Sequence, residues 1–295
     1  MSGARDEFDF VDVPVTGGAL RVGRWGTGAR IVLGVHGVTA SLMSLVPVAR
    51  HLGDEYTLVA PDLRGRGGSA DLPGPFGMAA HAADCAAVLD HLGTGPVTVV
   101  GESMGGFVGV VLAARRPDLV ERLVLVDGGL PLLIPTLEGV DPDALIDVVL
   151  GPAVARLRQT FESVEAYLDF WRVHPALQED WSADIEAYLR YDLTGDAPAL
   201  RSRVSEAAVR ADGAENLVDP GLVPDALAAI QCDVTMLRAT RGLLNQVPPL
   251  YPDEVVQPWR AVVPRFADEV VDDTNHYTIA FGERGAKTIA DHVRR

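Results

Sequence analysis

The chain is poor in cysteine, lysine and aromatic residues, and each shortage narrows what it can be. Only two cysteines, Cys85 and Cys232, stand in 295 residues, far apart and in apolar stretches. That spacing offers neither a disulfide framework nor a thiol metal site, so both are expected to be buried, reduced thiols. Lysine is represented by Lys287 alone among 25 basic residues, and these are outnumbered by 41 acidic ones. The formal charge of −16, with a pI near 4.7, sets up a field that repels phosphates, so neither nucleic acid nor an anionic membrane surface is an expected partner. No apolar run approaches the ~20 residues of a membrane helix. The start, Met1 to Glu7, is polar and acidic, so no secretory leader is expected and the location read is cytoplasmic. No ligand-spaced cluster of His, Cys and carboxylates and no phosphate-cradling glycine motif occurs, so neither metal nor cofactor is expected.

What the chain does have is apolar mass. Hydrophobic residues make up 48% and the mean hydropathy is +0.16, enough for one large α/β unit with an inserted subdomain. The most informative stretch is Gly101-Glu102-Ser103-Met104-Gly105. Before it stands the β-branched run Pro96 to Val100. After it stands the small and apolar run Gly106 to Ala114, closed by Arg115-Arg116-Pro117. The first reads as a strand and the second as a helix. G-x-S-x-G at a strand-to-helix turn is the setting of a nucleophile elbow, where glycines admit a bend that side chains would block.

The rest of the chain alternates in the same way. Strands are expected at Val11–Val15, Ala19–Trp25, Ala29–Val35, Tyr56–Pro61 and Leu123–Asp127, with helices over Leu42–Leu52 and Met78–Leu92. Short Gly-rich turns make the first two strands a hairpin; strict strand–helix succession afterwards implies a parallel sheet with helices on both faces. From Leu130 to about Leu222 helical patterns dominate without a clear strand, and aromatics gather: Phe161, Tyr167, Phe170, Trp171, Trp181, Tyr188 and Tyr191. Helices without strands cannot extend a sheet, so this segment reads as an insertion whose aromatics chiefly pack its helices together. Alternation resumes with strands at Asp233–Ala239 and Ala267–Val271 and helices at Pro252–Arg260 and Gly285–Arg294.

The order of motifs resembles the α/β-hydrolase fold from about Val11 to Val293: His36-Gly37-Val38 after the third strand, Pro61-Asp62-Leu63-Arg64-Gly65-Arg66-Gly67-Gly68-Ser69 after the fourth, the Ser103 elbow after the fifth and Asn275-His276-Tyr277 after the last. The resemblance implies a mostly parallel eight-stranded sheet with helices on both faces. Residues 1–129 and 223–295 would form the core and 130–222 a helical cap.

A serine hydroxyl needs a base to take its proton and a third group to orient that base. Of seven histidines, His51, His81 and His91 are expected on solvated helix faces, His174 in the cap and His292 in the last helix, while His36 is expected to hold backbone. His276 alone follows a strand at the end of the sheet where such folds place reactive groups, and the resemblance makes it the general base for Ser103. The family's usual acid follows the seventh strand, yet Arg238 to Gln246 contains no carboxylate, and Asn245 is the nearest polar residue. A minority of relatives take the acid from the end of the sixth strand, where Asp127 stands; zearalenone-type lactone hydrolases look similar in this. Asp127 is therefore taken as the acid, with Asn245, or no acid at all, as the alternatives. The resemblance puts oxyanion donors at the backbone N–H groups of Val38 and Met104. Glu102 is given no chemistry, and Asp62 and Arg64 are read as pins for the loop after the fourth strand.

The expected activity is hydrolysis of a carboxylic ester or lactone, on an apolar small molecule. A C–C bond hydrolase, a cofactor-free haloperoxidase, an acyltransferase or a weakly catalytic ligand-binding protein would use the same fold. A homo-oligomer is left open.

Overall fold

The computed structural model describes residues 8–132, 152–218 and 221–295. The strands are β1 (Phe8–Val15), β2 (Gly18–Trp25), β3 (Arg30–Val35), β4 (Tyr56–Pro61), β5 (Val97–Glu102), β6 (Val120–Val126), β7 (Leu193–Thr194), β8 (Arg201–Ser202), β9 (Asp233–Arg241) and β10 (Phe266–Asn275). The helices are α1 (Val46–His51), α2 (Met78–Leu92), α3 (Met104–Arg115), α4 (Pro152–Ala155), α5 (Val164–Arg172), α6 (Ala183–Asp192), α7 (Glu206–Val218), α8 (Leu222–Ala229), α9 (Asp253–Val256), α10 (Trp259–Val262), α11 (Thr278–Phe281) and α12 (Glu283–Arg294).

Eight strands form one sheet in the order β1-β2-β4-β3-β5-β6-β9-β10. The β1–β2 hairpin and the β2–β4 pair are antiparallel and the remaining neighbours parallel. The central strands are apolar at nearly every position because both faces are covered. Alternate side chains feed opposite layers. Val99, Leu123 and Leu125 join the layer of α2, α3 and α8, while Val100, Val124 and Val126 join the layer of α1 and α12. The chain leaves β3 toward β4 on one side and returns to β5 on the other, so the loops after β3 and β5 diverge. Open α/β sheets bind ligands at that divergence, beyond the carboxyl ends of the strands.

The second half of the chain differs locally from expectation. β7 and β8 form a short antiparallel ribbon inside the segment expected to lack strands; two-residue strands leave no periodic trace in a sequence. The helix expected over Pro252–Arg260 is two short helices, parted where Pro258 withholds a donor. Cys85 is buried as expected, but Cys232 is only half-buried. Part of the expected cap, 133–151 and 219–220, lies outside the described residues, as does the start, 1–7. The described helices of this stretch share an aromatic core of Phe161, Tyr167, Trp171 and Tyr188. That core packs on Phe281 and against Ala40, Met43 and Tyr277, beside the strand ends that carry His36 and His276. Among the described residues no helix is long and apolar enough to cross a membrane.

Candidate active site

Ser103 stands between β5 and α3 with φ 52° and ψ −118°, a conformation that costs a non-glycine residue energy and persists only where surroundings impose it. The imposition is visible. The Ser103 N–H donates to the Val126 carbonyl at 2.9 Å, and the Gly106 N–H donates to the Ser103 carbonyl at 2.9 Å. The turn is so tight that a Cβ on Gly105 would sit 2.0 Å from the Val35 carbonyl oxygen, and one on Gly101 would sit 2.4 Å from that of Gly105. Both contacts are with backbone, which cannot rotate aside.

Asp127 follows β6 with φ 44° and is 1% exposed. Its N–H donates to the Leu237 carbonyl at 2.8 Å, and the Ala239 N–H donates to its Oδ1 at 3.0 Å, so β9 holds it from both ends. Its Oδ2 lies 2.8 Å from Nδ1 of His276, whose Nε2 lies 3.1 Å from the Ser103 hydroxyl oxygen. A carboxylate against Nδ1 keeps the proton there and turns the lone pair of Nε2 toward the serine. Three side chains spread over 173 positions thus form one hydrogen-bonded line.

Asn245, in the loop after β9, is held elsewhere. Its Oδ1 accepts from Arg241 Nε at 2.7 Å and from Asn275 Nδ2 at 3.1 Å. Asn275 also donates to the Ala176 carbonyl at 3.0 Å and accepts at Oδ1 from the N–H groups of Tyr277 and Thr278. The residue kept as the alternative to Asp127 therefore braces the loop that carries His276.

The loop after β3 lies alongside the nucleophile: a Cβ on Gly37 would be 3.7 Å from the Ser103 hydroxyl oxygen. His36 is fully buried, accepts at Nε2 from the Leu63 N–H at 3.0 Å and donates from Nδ1 to the Gly37 carbonyl at 2.8 Å. Burial, with Arg66 adding to it, pushes its pKa down to about 3. This neutral imidazole holds backbone. Across the turn Met104 opens α3, where the first N–H groups of a helix have no partner within it and carry partial positive charge.

Several buried groups around the site carried no sequence signal. Glu102 accepts from the Ser44 hydroxyl at 2.9 Å and from the Gly37 N–H, and burial raises its pKa. His81, expected in solvent, is fully buried with its Nε2 3.0 Å from Asp212, which also binds Arg66. One helix face looks like another until the partner helix, here α7, is in place. Asp62 and Arg64 serve as expected. Asp62 accepts from the N–H groups of Leu42 and Gly68 and from the Tyr191 hydroxyl, and Arg64 pairs with Asp84 through both Nε and Nη2 at 2.7 Å. An aromatic file runs from Trp171 through His174 and Tyr277 to the His276 ring, with centroid spacings of 5.3, 5.3 and 6.0 Å. Burial lowers the His174 pKa to about 4, so His174 is uncharged near neutrality. A cleft of about 410 Å³ lined by Arg30, Tyr56, Thr94 and Glu121 opens at the opposite ends of the strands and contains none of these groups.

A doubly wound α/β sheet with a strained serine at its divergence point, facing a histidine and an aspartate from two other strand ends, defines a hydrolase type of architecture. Comparison with known proteins agrees. Residues 30–192 match the alpha/beta hydrolase fold family. The 2-(acetamidomethylene)succinate hydrolase of Mesorhizobium japonicum is 30% identical over 252 residues, 85% of this chain and 76% of that protein. Lipase LipV of Mycobacterium tuberculosis is 45% identical over 114 residues, 38% of this chain; the match spans less than half of that lipase, 43% of its length. A crystal structure of an E-2-(acetamidomethylene)succinate hydrolase superposes with a TM-score of 0.80 at 23% identity, covering 98% of this chain and all of that one. The chain belongs to the α/β-hydrolase family.

Proposed function

We propose that this protein is a serine hydrolase that cleaves a carboxylic ester or lactone through an acyl-enzyme. The observation that carries the reading is the unbroken line from Ser103 through His276 to Asp127, at 3.1 and 2.8 Å. His276 Nε2 takes the Ser103 proton as the hydroxyl oxygen bonds to the acyl carbon, and Asp127 stabilises the imidazolium that results. The N–H groups of Val38 and Met104 receive the oxyanion, each worth roughly 3 kcal/mol of barrier. The intermediate collapses as His276 returns the proton to the departing alkoxide, and a water activated by the same imidazole releases the acid. For a lactone the alcohol stays tethered to the product.

The helical segment over the strand ends is read as a cap, and its aromatic file as the apolar wall of a small-molecule site. A second reading is favoured by the Mesorhizobium relative, which covers most of the chain: the same serine would attack a 2-(acetamidomethylene)succinate-like substrate. Assaying that compound beside a panel of aryl esters and lactones separates the two by product. The test of the common premise is labelling by a fluorophosphonate. The wild type is expected to react once, and Ser103→Ala not at all while melting like the wild type. A folded wild type that resists the probe would end the proposal.

A further inference from the structure

Two buried arginines reach the loop after β3 and take consecutive carbonyls of it. Arg66 is fully buried and donates from Nε to the Val38 carbonyl at 3.0 Å and from Nη1 to the Arg64 carbonyl at 3.0 Å. Arg156 is 1% exposed, donates from Nη2 to the Thr39 carbonyl at 2.7 Å and lies 5.3 Å from the Trp171 ring centroid. Each is held by a carboxylate of the helical segment. Arg66 Nη1 pairs with Asp212 of α7 at 2.6 Å, and Arg156 Nε lies 3.4 Å from Asp192, the last residue of α6. Asp212 is itself fixed by the Gly77 N–H at 2.6 Å and by His81; Asp192 is fixed by the hydroxyls of Ser202 and Tyr167.

Burying guanidinium–carboxylate pairs is a poor way to add stability, because desolvation consumes most of the attraction and apolar side chains would serve as well. What such pairs supply is direction. The Gly37 carbonyl, in the same peptide plane as the Val38 N–H, is held by the His36 ring and by the Ala40 N–H at 3.2 Å. Arg66 and Arg156 hold the next two planes. With three successive carbonyls tied, the Val38 N–H has one direction. We infer that Arg66 and Arg156 are positioning residues for the Val38 oxyanion donor, and that Asp212 and Asp192 make its alignment depend on seating of the helices that carry them. This rests on the serine-hydrolase reading above.

The test uses Arg66→Lys and Arg156→Lys in the full chain. Lysine keeps the charge facing each aspartate but cannot reproduce the planar fork. Turnover of p-nitrophenyl butyrate is normalised to Ser103 titrated to completion with fluorophosphonate, so unfolded molecules drop out. Arg66→Gln replaces a lysine variant that gives no titratable sites. A donor misplaced by about 1 Å lowers kcat about 100-fold with KM nearly unchanged. Affinity for a trifluoromethyl ketone, whose adduct oxygen uses the same donors, falls in parallel. A purely structural role would lower the melting temperature and leave kcat per titrated site intact. Full kcat per site, or a loss confined to KM, overturns the inference for that arginine. A folded wild type whose Ser103 cannot be titrated with fluorophosphonate sinks the serine-hydrolase reading and takes this inference with it.

Discussion

Replacing Asp127 with asparagine probes the line of three residues at its buried end. The substitution keeps shape and volume, and asparagine tolerates the φ of 44° that the turn demands. Of the two oxygens, Oδ1 accepts from the Ala239 N–H at 3.0 Å and Oδ2 faces His276 Nδ1 at 2.8 Å. An asparagine that keeps the first bond must present its NH2 to the imidazole. Nδ1 then has to accept, the ring proton moves to Nε2, and Nε2 no longer has a lone pair for the Ser103 hydroxyl. The stabilising charge opposite the imidazolium is lost as well. Triad aspartates treated this way lose about 10³- to 10⁴-fold in kcat, equivalent to roughly 4–5 kcal/mol of barrier. The assay is kcat on an activated ester beside the melting temperature, which should change little because the fold keeps its contacts. Asn245→Ala is the control. It removes the hydrogen bonds from Arg241 and Asn275, only the second of which, worth about 1 kcal/mol, bears on the loop that carries His276, so its kcat should fall about tenfold or less. An Asp127→Asn protein with near wild-type turnover, accompanied by a dead Asn245→Ala, would refute the reasoning and move the orienting role to Asn245 in the loop after β9.

Gly105→Ala places a methyl 2.0 Å from the Val35 carbonyl oxygen, and the overpacking should cost about 1–3 kcal/mol or more in urea unfolding; an unchanged midpoint contradicts the packing described for the turn. His36 has its folded pKa lowered to about 3 against about 6.5 unfolded. Between these values the unfolded chain binds the extra proton, so the stability this residue contributes is complete above pH 6.5 and lost as pH falls toward 3. The slope is about 1.4 kcal/mol per pH unit in the middle of that window. His36→Asn should flatten the stability-against-pH curve by about one proton there, and equal slopes for the two proteins would contradict a neutral, buried imidazole.

Much of this molecule was legible from the order of its residues. β-branched and apolar runs bounded by turns marked the eight strands of the main sheet, helical patterns marked most of the helices that cover them, and helix α2 ran over Met78–Leu92 as expected, while α8 was not anticipated. Ser103, between a β-branched run and a small-residue helix, announced its own turn, although the atom that excludes a side chain at Gly105 belongs to Val35 of β3. The loop positions of His276 and Asp127 followed from where strands stop. Their distances did not. The 2.8 Å contact between residues 149 positions apart depends on the neighbouring strands β6, β9 and β10 and on a register shift in β10 before Asn275.

Pairings between elements were invisible for a common reason. His81, Arg66 and Arg156 occupy positions where a polar side chain ordinarily faces water, and only the docking of α6 and α7 supplies the carboxylates that let them be buried. Periodicity records which side of an element is apolar. It carries no information about which distant charge will meet a given arginine, since that depends on how the helices are set against the strand ends. Asn245 behaves alike: its place in the loop after β9 made it the alternative to Asp127, and tertiary contacts with Arg241 and Asn275 hold it as a brace.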